Sequence, residues 1–285
     1  MLLALFGVLL WSSHICALVE QAPTPISSSL QPRVLWRGDG RPPEYFRSKG
    51  GILEGEVSPP TEFSLWRHTH WQIKNDTFDT AYTATSLVIG QALKYYHSYL
   101  KNMAYQPYGY VYLVHATPNC LSVNQSLLQH SFCPWEQEYA CLGGIHWDQI
   151  EGWIDIPVEF VSSISGILES LTFHDLSARF IRNDDYRKSR YDAFSATEGQ
   201  PQLAGWDDSG RSAEWKKEEP WSKFQEKTAS QYAVDFMWKY GRDVGFNGTF
   251  PLKFTVPQGP FNKTNRDALP QLYRPKRPRY FAEDI

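Results

Sequence analysis

The stretch from Glu136 to Trp153, EQEYACLGGIHWDQIEGW, limits what this chain can fold into more than any other. Acidic and apolar residues alternate through its first part, and Gly143-Gly144 then forces a turn, a pattern of strand and turn rather than helix. On a strand, residues two apart face the same way, so Glu136 and Glu138 are expected to point into one site. Two neighbouring carboxyl groups drive each other's proton affinities apart, an arrangement common in glycosyl-bond chemistry. An isolated E-x-E is ordinarily a solvated acidic patch, so the rest of the chain must supply the context.

Val34-Leu35-Trp36-Arg37 reads as an opening strand ended by Gly38-Asp39-Gly40. Ser86 is placed to cap a helix running from Leu87 to about Leu100, with apolar groups at three-to-four spacing. Tyr110 to Ala116 is a strand by its β-branched and aromatic content, closed by Pro118-Asn119. Residues 155–180 look helical and amphipathic in part, and Asn183 to Glu219 reads as loops and short turns. Tyr232, Ala233, Phe236, Met237 and Tyr240 form one apolar face of a helix spanning about Gln225 to Tyr240. Strands and helices mixed without regular alternation give an α+β fold rather than a doubly wound sheet.

The N-terminus carries an unbroken apolar run, Leu2 to Trp11, closed by small residues up to Ala17. It is too short for a membrane span and reads as a secretory signal peptide over residues 1–17, so the product is expected to be secreted. Removing it leaves Cys120, Cys133 and Cys141, hence at most one internal disulfide and one free thiol. Cys120 with Cys133 is the favoured pair, and Cys133 with Cys141 the next. Four sequons, at Asn75, Asn124, Asn247 and Asn262, fit a glycoprotein of a secretory pathway. A net charge of −3 with no concentrated basic face argues against a nucleic-acid partner.

Arg37, ending a strand beside Gly38 and Asp39, can present a bidentate fork to phosphate or carboxylate; its ordinary role is an ion pair, here with Asp39. Tyr82-Thr83-Ala84-Thr85-Ser86 is a hydroxyl-rich strand end leading into a helix. His68 and His70 lack a second ligand pair at suitable spacing, so no metal is expected. Phosphate-loop, nucleophile-elbow and paired C-x-x-C motifs are absent from the sequence.

Taken in order, these segments are similar to the A chains of cholera and heat-labile enterotoxins, the arginine-specific ADP-ribosylating toxins. Trp36-Arg37-Gly38-Asp39-Gly40-Arg41-Pro42-Pro43 resembles that family's opening strand, and Leu65-Trp66-Arg67-His68 the segment of its active-site histidine. Tyr82 to Ser86 stands where the family has an aromatic followed by Ser-Thr-Ser. Ala116-Thr117-Pro118-Asn119 matches an A-x-P-N turn. Glu136-Gln137-Glu138, Leu142-Gly143-Gly144-Ile145 and Gln149-Ile150-x-Gly152-Trp153 resemble the catalytic glutamate strand. Arg182-Asn183, Tyr186-Arg187, Leu203-Ala204-Gly205 and Trp215-x-x-Glu218-Glu219-Pro220-Trp221 follow in the same order, so the likeness spans about residues 34 to 221.

The resemblance implies an α+β ADP-ribosyltransferase fold, with two short sheets around an NAD cleft and a C-terminal helical extension. Residues 18–221 would form an A1-like transferase domain and 222–285 an A2-like extension. It further implies transfer of ADP-ribose from NAD, the co-substrate, to an arginine of a host protein such as a G-protein α subunit. The same pattern includes a B-type delivery partner, although no Cys follows Cys141 to link A1 to A2. Glu138 would stabilise the sugar cation, and Glu136 would orient the acceptor guanidinium and help remove its proton. Arg37, with Gly38 and Asp39, would grip the NAD phosphates and brace the site. His68 would bond near the adenine-side ribose or set Arg37. Thr85 and Ser86 would support the glutamate strand and the nicotinamide pocket. One departure stands out: Ala84 replaces the first serine of the triplet, which in the family bonds the catalytic glutamate. Competing outcomes are an NAD glycohydrolase and a catalytically weakened relative that binds glycan or protein.

Overall fold

The computed structural model describes residues 31–53, 58–69, 79–94, 108–157, 160, 168–205 and 212–261. The signal peptide, His70, Asn75, Asn262, the helix expected over 95–100 and the basic tail lie outside them. Nine strands are present among these residues: β1 (Val34–Asp39), β2 (Gly51–Ile52), β3 (Tyr82–Ser86), β4 (Tyr108–His115), β5 (Cys120–Ser122), β6 (Glu138–Leu142), β7 (Ile145–His146), β8 (Ile150–Pro157) and β9 (Phe180–Arg182). Seven form one sheet in the order β5-β6-β3-β1-β4-β8-β9, and β2 pairs with β7 in a second.

The large sheet is divided in the middle. β1 runs antiparallel to β4 along its whole length, from Val34↔His115 to Asp39↔Tyr110, but meets β3 only at Trp36↔Ser86. β3 then pairs with β6 from Tyr82↔Leu142 to Ser86↔Glu138. Two half-sheets thus diverge from a single residue pair, and the wedge between them is where the cleft opens.

Each half covers its own core. Trp36, Val111, Leu113, Ile154 and Phe173 pack on one side of β1, β4 and β8, while Leu35, Phe46, Tyr112, Trp147 and Trp153 fill the other. A third core joins Leu65, Tyr82, Leu121 and Leu142 to Ala233, Phe236 and Met237 of the helix Ala229–Tyr240. Val244, Phe246 and Leu252 extend that core, and His146 Nε2 donates to the Val244 carbonyl at 2.7 Å. The chain beyond the helix is therefore packed onto the β3–β6 half. At the turn between β6 and β7, Gly143 and Gly144 have φ of 84° and 102°. A Cβ on Gly144 would stand 2.7 Å from the Ile52 carbonyl oxygen, so glycine is required there on two counts.

Several elements depart from the sequence reading. β1 continues through Gly38 to Asp39, because pairing with β4 outweighs the weak strand preference of Gly and Asp. Residues 155–157 close β8 rather than open a helix; in the remainder of that stretch the described helical pieces are short, such as Phe173–Leu176. The helix expected from Gln225 begins at Ala229, where the Thr228 hydroxyl accepts from the Gln231 N–H and closes a capping box. Near residue 86 the helix occupies 89–94 within the described residues.

The disulfide also differs from expectation. It joins Cys120 to Cys141, which face each other across β5 and β6, and Cys133 keeps a free thiol. Directly opposed positions on neighbouring strands bring the two Cβ atoms together, whereas Cys133 stands in the connection ahead of β6. The sequence spacing shows only that the three cysteines are close along the chain. Which strands pair decides the bridge.

Candidate active site

The wedge between the half-sheets holds a cavity of about 250 Å³. Arg37 and Gly38 reach it from β1, Ala84, Thr85 and Ser86 from β3, His68 from the helix Leu65–Thr69, and Glu136 and Glu138 from the approach to β6. Of the catalytic and NAD-binding residues expected from the sequence, only Asp39 is not on the cavity wall: it stands behind Arg37.

Arg37 is almost wholly buried, at 4% exposure. Its Nη2 donates to Asp39 Oδ2 at 2.7 Å and its Nη1 to the Ala84 carbonyl at 2.8 Å. Beyond the single Trp36↔Ser86 pair the two strands part, and the guanidinium spans the gap that a backbone ladder would otherwise fill. Asp39 also accepts from Arg41 through both Nε and Nη2, at 2.9 and 2.7 Å. Burial opposes the charge on Asp39, but the flanking Arg37 and Arg41 outweigh it and hold the carboxyl below the usual range. A carboxylate set between two guanidiniums keeps Arg37 fixed and charged.

The glutamates reach the cavity by a different route from the one the alternation implied. Glu136 lies in the 3₁₀ turn Pro134–Glu136, and Gln137 adopts a left-handed conformation with φ 46°. Only Glu138 lies on β6. The two carboxylates still line one cavity, brought together by a turn rather than by strand periodicity. Desolvation first, and then the charge of Glu138, push the Glu136 carboxyl up to about 7; a hydrogen bond from Cys133 and the charge of Lys94 act the other way.

The surrounding hydroxyls hold this segment in place. Thr85 Oγ1 donates to the Tyr139 carbonyl at 2.6 Å, and Ser86 Oγ to the Glu136 carbonyl at 2.6 Å. Ser86 Oγ also accepts from the Val88 N–H at the entrance to the following helix. His68 Nε2 lies 3.1 Å from Glu138 Oε1, and its Nδ1 lies 3.1 Å from Thr80 Oγ1. Thr83 points to the opposite face, toward the Ile52 carbonyl. The sequence reading missed Thr80, Gln91, Phe132 and Cys133. None sits in a recognisable motif, and each reaches the site only through the fold.

Other polar positions of the resemblance are structural in this arrangement. Asn119 Nδ2 donates to the Leu142 and Gly144 carbonyls, and Asn183 Nδ2 to those of Trp147 and Ile150. Trp221 Nε1 donates to the Ser126 carbonyl. These bonds satisfy carbonyls at strand ends and so keep the glutamate segment and β8 in register.

A mixed α+β sheet pair split by a cleft, with a braced arginine on one wall and two glutamates on the other, defines the ADP-ribosyltransferase class of fold. The chain belongs to the heat-labile enterotoxin alpha chain family, whose sequence model matches residues 18–235. Heat-labile enterotoxin IIB A chain of Escherichia coli is 30% identical over 210 residues, which cover 70% of this chain and 71% of that protein. The catalytic-side relative from Vibrio cholerae, the A chain of cholera enterotoxin, is 29% identical over 203 residues, covering 66% and 68%. The Vibrio cholerae NAD(+)--arginine ADP-ribosyltransferase Chelt is 33% identical over 125 residues, 41% of this chain but 20% of that protein. In structure, a double mutant of heat-labile enterotoxin superposes with a TM-score of 0.54 at 22% identity, covering 74% of this chain and 92% of the other.

Proposed function

We propose that this chain is a secreted, toxin-type enzyme that transfers ADP-ribose from NAD to an arginine side chain of a host protein. The observation that carries the reading is the meeting of two glutamates in one cavity opposite Arg37, with Glu136 pushed up to about 7. The donor set fits a dinucleotide: a fixed guanidinium, the His68 imidazole and the Gln91 amide can face phosphate and ribose oxygens, while the carboxylates face the glycosidic carbon.

In this reading Glu138 provides negative charge where positive charge develops on the ribose, as the bond from C1′ to the nicotinamide nitrogen breaks. The electron pair of that bond leaves with nicotinamide, which departs neutral. Glu136 orients the acceptor guanidinium and takes its proton as the new bond from nitrogen to C1′ forms. A carboxyl that titrates near neutrality suits that task. Arg37 holds the phosphates and, through Ala84, the spacing of the walls, with Asp39 fixing it from behind; Gly38 lets the backbone approach. Thr85 and Ser86 keep the glutamate segment rigid.

Residues 1–17 act as the signal peptide, 18–221 as the transferase domain and 222–285 as the C-terminal extension. The packing of Phe236, Met237 and Leu252 against Tyr82 and Leu142 supports an extension that steadies the β3–β6 half. A G-protein α subunit is the acceptor class the family likeness favours, and a B-type partner the means of delivery.

Labelled NAD and agmatine, incubated with the protein and with Glu138→Gln, provide the test. Transfer by the wild type and its loss in the variant is the expected result. Nicotinamide release with no label on agmatine would assign a glycohydrolase instead, and absence of both turnover and NAD binding would leave a binding relative.

A further inference from the structure

Ala84 removes a hydroxyl from the cavity face of β3, yet Glu138 is held by His68 Nε2 at 3.1 Å. The bond works only if that nitrogen carries the proton, because an ionised carboxylate accepts and cannot donate. A neutral imidazole protonated at Nε2 has a bare Nδ1, and this ring is buried, with 3% of its side chain exposed. Thr80 Oγ1 lies 3.1 Å from Nδ1 and also accepts the Tyr82 N–H at 3.3 Å. With one lone pair given to Tyr82, the hydroxyl's single proton is free to point at Nδ1. Thr80 is itself fixed: it is 5% exposed and bridges to Glu62 at the entrance to β3.

We infer that Thr80 is a positioning residue for the proposed transfer, its hydroxyl locking His68 in the Nε2–H form that holds Glu138. The inference rests on the transferase reading for its effect on rate, but not for the proton's position. The relay Tyr82 N–H to Thr80, Thr80 O–H to His68, His68 N–H to Glu138 runs in one direction and satisfies every group in it. It takes over the support that a serine at position 84 would give from the other side.

The test has two arms. In protein labelled with ¹⁵N-histidine, long-range proton–nitrogen correlation at neutral pH reads the His68 form directly, with His68→Gln assigning the signal. The wild type is expected to show the Nε2–H form, and Thr80→Val to move off it. In the agmatine assay Thr80→Val is expected to lower kcat roughly tenfold, the scale of one buried acceptor left unpaired, with KM for NAD unchanged. Thr80→Ser keeps kcat near wild type, and adding Ala84→Ser to Thr80→Val recovers most of the loss. A wild-type His68 protonated at Nδ1 overturns the inference, as does an unchanged kcat in Thr80→Val or an equal loss in Thr80→Ser. Should the wild type transfer nothing, the functional reading fails alone, and the His68 signal in wild type and Thr80→Val still decides the positioning role.

Discussion

Glu136→Gln separates what this carboxylate does for the fold from what it does for the chemistry. Desolvation and the nearby Glu138 raise the Glu136 carboxyl to about 7. In the unfolded chain it titrates near ~4.3. A group whose folded value is raised adds nothing against folding below the unfolded value; as pH climbs from there through about 7, the folded state must carry a charge it disfavours. The wild type therefore loses stability across that window, and the glutamine variant does not. At full weight the gap amounts to roughly 3–4 kcal/mol; solvent reaches part of the side chain, and screening lowers the expectation to roughly 1–2 kcal/mol. Urea unfolding of both proteins at pH 4 and pH 8 measures it. The variant should match the wild type at pH 4, exceed it by that amount at pH 8 and transfer no ADP-ribose to agmatine at either. Wild-type transfer should rise as pH passes through about 7. A stability difference independent of pH, or a variant no more stable at pH 8, would refute the claim that this carboxylate is strained by its surroundings.

The disulfide and the arginine brace yield two more expectations. Serine at both Cys120 and Cys141 should lower stability by about 3 kcal/mol, since the bridge closes a 21-residue separation containing both glutamates. Cys133→Ser should cost under about 1 kcal/mol, and mass spectrometry after alkylation without reduction should find the modified thiol at Cys133; a label at Cys120 or Cys141 would overturn the pairing. Arg37→Ala should cost about 3 kcal/mol or more, because it leaves the buried Asp39 with one cation fewer and the Ala84 carbonyl without its guanidinium donor. A melting temperature within a degree or two of wild type would remove Arg37 from that role.

Local chemistry made much of this molecule readable. Val34 to Arg37, Tyr110 to Ala116 and the Gly143-Gly144 turn carry their conformations in their own composition, and the apolar face of Tyr232 to Tyr240 marks a helix to within a few residues. The meeting of Glu136, Glu138, Arg37 and His68 was legible through order along the chain, not through periodicity. The alternation argument for Glu136 reached the right cavity by the wrong path, since a left-handed Gln137 has no signature in composition. Cysteine pairing depends on β5 lying against β6, a contact between distant segments that spacing does not encode. Thr80 was invisible for the same reason: its meaning comes from His68, twelve residues away and on a helix.

The single Trp36↔Ser86 pair has a mechanical consequence. An ordinary interior strand is stiffened by ladders on both edges, so shear in a sheet spreads over many bonds. Here β1 carries a full ladder on one edge and almost none on the other, and the two half-sheets meet along a seam. Close to that pair, the seam is fastened by the grip of one guanidinium on the Ala84 carbonyl. Any force on Arg37 therefore reaches the opposite wall directly, and the distance between the two sides of the cleft follows the state of that one fastening.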